Sequence, residues 1–159
     1  MIETDSSSQE CPLVSVVVTT KNEENHLQNC LSSITLQTYS SVEIIVVDNF
    51  SSDSTERVAR QFDVIFDQVG PERSAQRNHG LIRYAQGRFS MYVDADMVLS
   101  PSLIERCVHQ MMSSEIEGLY ISESILGLDR LAKLRSFERS FYTGTVIDAV
   151  RFFRQTTFV

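Results

Sequence analysis

Apolar and polar positions along this chain switch repeatedly between two rhythms. Leu13–Thr20 is a nearly unbroken β-branched run, and Lys21-Asn22-Glu23-Glu24 ends it. A run this continuous predicts a central strand buried on both faces. Leu27, Cys30, Leu31 and Ile34 follow at i, i+3, i+4 and i+7, which is one face of a helix. Tyr39-Ser40-Ser41 connects this helix to a second buried strand, Val42–Val47, ending in Asp48. Ser51–Glu56 reads as a helix start, with Asp53 and Glu56 three apart as a capping-box-like pair. Val64-Ile65-Phe66 predicts a third strand and Gly70-Pro71 a turn. Ser74–Ala85 predicts a helix with Ala75, Leu81, Ile82 and Ala85 inward, ending near Gly87. Phe89-Ser90-Met91-Tyr92-Val93 has strand character and runs into Asp94-Ala95-Asp96. Ser100-Pro101 reads as an N-cap followed by proline at the first helical position, and Ile104, Cys107, Val108 and Met111 give that helix its apolar face. Past Gly118 the pattern predicts a strand at Leu119–Ile121, a basic helix over Leu128–Tyr142 and a last strand at Val150–Phe153.

Strands and helices alternate, so the expected architecture is α/β, with a mostly parallel central sheet flanked by helices and right-handed crossovers. The length of 159 residues suits one domain: residues 1–12 are expected as a disordered, Ser-rich tail and 13–159 as the domain. A hydrophobic share of 42% and a charged share of 22% are ordinary for a soluble globular protein. The net charge of −7, without a basic stripe, argues against a nucleic-acid binder. Cys11, Cys30 and Cys107 are odd in number and lack CxxC spacing, so they read as free thiols in a reducing compartment. With no apolar leader or membrane-length run, the expected location is cytoplasmic. Lys133, Arg135 and Arg139, interleaved with Phe137 and Phe141, read as a solvated face that also allows a peripheral membrane contact.

Three predicted loops leave the carboxyl ends of strands, at Thr19–Glu23, Asp48–Asp53 and Asp94–Met97. In open α/β sheets such loops converge on the ligand crevice. Asp94 and Asp96 place two carboxylates there, a dense negative spot suited to a hard divalent cation, Mn²⁺ or Mg²⁺, that keeps positions for substrate phosphates. Arg73 and Arg77 can pair with phosphate oxygens, Thr19 can approach a base, and Asp48 can accept from its imide or amino edge. Asp48 also reads as a cap at its strand–loop junction. No GxGxxG follows the first strand, which excludes a dinucleotide-binding dehydrogenase, and the absence of glycine in Thr19-Thr20-Lys21-Asn22 counts against a nucleotidyltransferase.

The blocks Val14–Glu23, Glu43–Asn49, Arg77-Asn78-His79-Gly80 and Val93-Asp94-Ala95-Asp96, in that order and spacing, resemble family-2 glycosyltransferases with a Rossmann-like GT-A sandwich. The resemblance implies transfer of a sugar from a nucleotide sugar to a hydroxyl acceptor on a glycan, lipid or other molecule, metal-dependent and with inversion. It favours a uridine nucleotide and leaves guanosine and thymidine open. By resemblance, Thr19, Lys21, Asp48, Arg73, Arg77, Asp94 and Ala95 bind the nucleotide sugar, and Asp96 with Asp94 holds the metal. The resemblance also implies an acceptor segment with the catalytic base. Arg151–Val159 looks like the lead-in to it, so the base is expected beyond Val159, and Glu123, Asp129, Glu138 and Asp148 read as solvated or capping carboxylates. Phe152, Phe153, Phe158 and Val159 would then be partly exposed near a sheet edge, favouring a homo-oligomer. The alternative is a non-catalytic nucleotide-sugar-binding module or an inactive truncated fragment.

Overall fold

The computed structural model describes residues 11–125 and 150–158, and everything structural below refers to these. The predicted tail before Cys11 and the basic helix over 128–142 lie outside them, as do Asp129, Glu138 and Asp148.

One six-stranded sheet runs in the order β3-β2-β1-β4-β6-β5. Its strands are β1 (Val14–Thr20), β2 (Val42–Asp48), β3 (Ile65–Gln68), β4 (Phe89–Asp94), β5 (Gly118–Tyr120) and β6 (Val150–Arg154). β3, β2, β1 and β4 are parallel, while β6 runs antiparallel to β4 and β5 antiparallel to β6. The helices are α1 (Leu27–Thr35), α2 (Thr55–Ala59), α3 (Arg73–Arg83) and α4 (Leu103–Met112).

β1 is buried at all seven positions because helices cover both of its faces. Val14, Val16 and Val18 join a cluster with Leu27, Leu31 and Ile34 of α1, Val58 of α2, and Ile104 and Met111 of α4. Val17 points the other way, to Ile45, Val47 and Leu81 of α3. The alternation is the two-residue period of a strand, and the unbroken valine run is what two apolar faces require.

α3 departs from expectation. Its buried residues are Gln76, Gly80 and Leu81, while Ile82 is 69% exposed. Gly80 decides the face: a Cβ there would lie 2.5 Å from Val17 Cγ1 and 3.2 Å from Val47 Cγ2. The helix backbone therefore lies directly on the sheet at Gly80, which turns Ile82 outward. Two helix starts also differ. Glu56 does not reach back as a capping box; it pairs forward with Arg60 at 2.7 Å, and the Asp53 carboxylate accepts from the Thr55 backbone and hydroxyl. α4 begins at Leu103, after a turn closed by Leu103 N–H donating to Ser100 O at 3.1 Å, so Pro101 stands before the helix.

The expected exposure of Phe152 and Phe153 is also overturned; the side chains of Phe158 and Val159 lie outside the described residues. Phe152 is fully buried and Phe153 is 3% exposed, because β6 is an interior strand between β4 and β5. Phe152 packs on Phe89 with ring centroids 5.6 Å apart.

Candidate functional site

The parallel register brings the carboxyl ends of three strands level. Thr19 stands opposite Asp94 across β1–β4, and Thr20 opposite Asp48 across β1–β2. The loops leaving β1 and β2 are bound to each other. Asn22 N–H donates to Ser51 Oγ at 2.7 Å, and Asn22 Oδ1 accepts from Ser52 N–H at 2.9 Å. Glu24 and Asp53 repeat the exchange: Asp53 Oδ2 accepts from Glu24 N–H at 3.1 Å, and Glu24 Oε2 from Ser54 N–H at 2.9 Å. Glu23 N–H donates to Thr55 Oγ1 at 2.8 Å.

Asp48 is fully buried beneath this junction. Its carboxylate accepts from Ser51 N–H at 2.8 Å, from the Ser51 hydroxyl, and from Gln68 Nε2 at 2.9 Å. That is the capping role open from sequence. A carboxylate has about four acceptor positions, and three are engaged here. Gln76 of α3 acts from the other face, donating through Nε2 to Thr20 O at 2.9 Å and Val47 O at 2.7 Å. These are carbonyls at the ends of β1 and β2, so one glutamine ties the third element to the first two.

Asp94 lies at the centre. Oδ1 accepts from Thr19 Oγ1 at 3.1 Å and from Arg77 Nη2 at 2.9 Å. Oδ2 faces Arg73 Nη1 at 3.8 Å and Arg151 Nη2 at 3.7 Å. Burial alone would raise the Asp94 pKa, but the Arg77 hydrogen bond and the charges of Arg77, Arg151 and Arg73 bring it below its ordinary value. Tyr92, two residues back on the same strand, carries Arg77 over its ring at 4.3 Å and Arg151 at 5.3 Å. Arg151 also donates through Nε to Glu123. It is 8% exposed, and its Nη1 is buried with no hydrogen-bond partner among the described residues.

Asp96 is the opposite case. It is exposed, while Ala95 between the two aspartates is buried and donates its N–H to Thr19 O at 3.1 Å. Asp96 belongs to two hollows. One is a small cleft of about 70 Å³ bordered by Thr19, Lys21, Arg73, Gln76, Asp94 and Asp96. The other is a cavity of about 490 Å³ with largely apolar walls, including Met91, Val93, Leu103 and Ile121, and with Glu123 and Arg151 on its lining. Of the residues expected at the nucleotide end, Thr19, Lys21, Arg73, Asp94, Ala95 and Asp96 border the small cleft, Arg77 meets it through Asp94, and Asp48 is buried behind Ser51 and Gln68. Glu123, expected to be solvated or capping, instead lines the cavity in an ion pair with Arg151.

No group of three or more His, Cys, Asp or Glu side chains able to hold a metal occurs among the described residues. The donor set nonetheless fits a hard divalent cation, which takes one or two carboxylates and fills its remaining positions with water and substrate phosphate. Asp96 is exposed for that purpose, whereas Asp94 is engaged by arginines.

Sequence reasoning missed Gln76, Arg151, Tyr92 and the Asn22–Ser51 junction. For Arg151 there was a signal, a lone cation within the otherwise apolar stretch Val150–Phe153.

A sheet of this order, with strand ends converging on an Asp-Ala-Asp turn, is the GT-A class of fold. S. aureus TarS superimposes with a TM-score of 0.66 at 21% identity, covering 91% of this chain and 47% of that one. A mannosyltransferase from Pyrobaculum calidifontis, solved in complex with GDP-Man and Mn²⁺, superimposes at 0.64 with 24% identity over 72% of this chain and 36% of its own. The chain belongs to glycosyl transferase family 2, whose profile matches residues 15–120. Among curated relatives, glycosyltransferase AglE of Haloferax volcanii is 34% identical over 115 residues, 67% of this chain and 38% of AglE. The match thus spans well under half the length of that relative. No helix among the described residues is long and apolar enough to cross a membrane.

Proposed function

We propose that this chain binds a nucleoside-diphosphate sugar at the ends of β1, β2 and β4 and transfers the sugar, with inversion, to an acceptor hydroxyl. The observation that carries this reading is the pairing of an arginine-ringed Asp94 with an exposed Asp96 in one cleft. A diphosphate entering beside them finds Arg73 and Arg77, whose forked donors suit phosphate oxygens. Arg73 is 68% exposed at its side chain and 3.8 Å from Asp94, so it can turn to the ligand without breaking a close bond. Arg77 keeps Asp94 in place for the ribose. Thr19 and Lys21 line the cleft on the β1 side. Asp48 holds from beneath the turn that walls the base site. Asp96, with Asp94 behind it, would hold Mn²⁺ or Mg²⁺, which supplies charge neutralisation to the departing diphosphate. In the transfer, the acceptor oxygen bonds to the anomeric carbon as the carbon–phosphate-oxygen bond breaks, and the electron pair leaves on the diphosphate. The acceptor's proton passes to a carboxylate base. The cavity on the far side of Asp96 is where the acceptor would approach. A uridine nucleotide is favoured; S. aureus TarS, of the same fold, has been solved with UDP-GlcNAc.

The test is calorimetry of UDP and GDP with Mn²⁺ and with chelator, on the parent and on Asp96→Ala. Metal should tighten binding in the parent, and Asp96→Ala should remove that gain, at least the ~10-fold that outer partners of a bound ion command. Equal affinity with metal and with chelator in the parent refutes the metal assignment. Tight binding with no transfer to any acceptor identifies a binding module.

A further inference from the structure

Two non-glycine residues among those described have a left-handed backbone, Asn22 at φ 54° and Phe50 at φ 49°. Asn22 is accounted for, since asparagine tolerates this region and both its backbone N–H and its side chain are bound to the opposite loop. Phe50 has no such explanation. A bulky residue is an outlier there, and its side chain recovers little by burial, being 64% exposed. Its neighbours Asp48, Asn49 and Ser51 turn inward to hydrogen bonds, with Asn49 Nδ2 donating to Pro71 O at 2.7 Å. The Phe50 ring alone is turned out. It lies over Gly70, where an added Cβ would meet Phe50 Cδ2 at 3.5 Å. It therefore stands between the Asp48 turn and the Gly70-Pro71 corner that leads into α3 and Arg73. None of the residues lining the small cleft is aromatic. A flat, solvated ring is thus held at energetic cost two residues past the end of β2, whose Asp48 stands opposite Thr20 of the cleft wall, where a planar ligand could stack on it.

We infer that Phe50 is the stacking platform for the donor's nucleobase, an inference that rests on the donor-site reading above. Because every base has a π-face, the platform accepts uracil and guanine alike, and discrimination falls to the groups at the base edge.

The experiment separates strain from use. Phe50→Gly relieves the left-handed backbone and gives up little burial, so it should melt no lower than the parent while binding UDP and GDP about tenfold more weakly, the lower range of base–aromatic stacking. Pyrophosphate with Mn²⁺, which has no base, should bind both proteins equally. The chain contains no tryptophan, so Phe50→Trp installs a single fluorophore that UDP should quench and pyrophosphate should not. If Phe50→Gly binds UDP as tightly as the parent, or if the position-50 fluorescence ignores UDP that calorimetry shows to be bound, the inference is overturned and the donor site stands. If the parent binds neither UDP nor pyrophosphate with Mn²⁺, the donor-site reading falls, and this inference with it.

Discussion

The cleft and the cavity on either side of Asp96 are built on opposite principles. The cleft is small and crossed by charge, with Asp94, Arg73 and Lys21 on its walls and Gln76 pinning the strand ends. The cavity is about seven times larger in volume, 490 against 70 Å³, and its walls are mostly aliphatic and methionine side chains. A polar, hydrogen-bonded lining selects by geometry, because an ill-fitting guest leaves buried donors and acceptors unpaired. An apolar lining discriminates only by size and shape. One side of the site thus suits a polar guest of fixed geometry, and the other an apolar guest of less defined outline.

Arg151, on the cavity wall, is tied by ion pairs to a carboxylate on each side, so its removal should have the largest effect. It joins Asp94 to Glu123 and is nearly buried. Arg151→Met should cost about 3 kcal/mol in urea unfolding, because breaking a buried ion pair leaves its carboxylates under-compensated. A variant with an unchanged urea midpoint would mean that the two sides are independent.

Gly80 supports the cleft side alone. Alanine would gain about 1 kcal/mol in helix propensity, but its Cβ would meet Val17 at 2.5 Å. Overpacking of this kind costs ~1–3 kcal/mol, so Gly80→Ala should melt lower. It should also weaken nucleotide binding as Gln76 is pushed from the carbonyls of Thr20 and Val47. A higher melting temperature would mean that α3 does not rest on the sheet at Gly80.

Asp67 lies outside both hollows and serves as a control. It accepts from Tyr84 Oη at 2.6 Å, pairs with His79 Nε2 at 2.7 Å and accepts from the Gln68 backbone; these bonds, in that order, hold its pKa down to about 2. The folded value lies below the ordinary carboxylate value of about 4. The contribution to stability is therefore complete above about pH 4 and is lost as pH falls toward 2. Asp67→Asn should lower the melting temperature slightly at pH 7, with the gap to the parent closing between pH 4 and pH 2, and should leave nucleotide affinity untouched. A gap that persists at pH 2 would show that the carboxylate's charge is not its source.

The legibility of this chain divides along physical lines. β1, β2 and β4 could be read because two-sided burial demands the unbroken apolar runs they carry. The faces of α1 and α4 could be read because side-chain packing alone sets them. α3 was misjudged because a glycine, which has no side chain to enter a periodicity count, fixes its orientation. Thr19, Asp94 and Asp96 could be placed together because the sheet rule locates strand ends. Arg151 was missed because it arrives from an antiparallel strand 57 positions after Asp94, and no local rule joins those positions. The exposure expected at Phe152 and Phe153 failed for a related reason: both late strands could be read, but not that β5 takes the sheet edge and leaves β6 inside.

The crossed hydrogen bonds between the β1 and β2 loops have an entropic consequence. Asn22 with Ser51 and Ser52, Glu24 with Asp53 and Ser54, and Glu23 with Thr55 make two connections behave as one body. Each ordered residue costs roughly 1–2 kcal/mol of conformational freedom, and here that cost is met during folding, before any ligand arrives. A guest at this rim would spend little of its binding energy on organising the loops, and affinity should depend only weakly on loop motion.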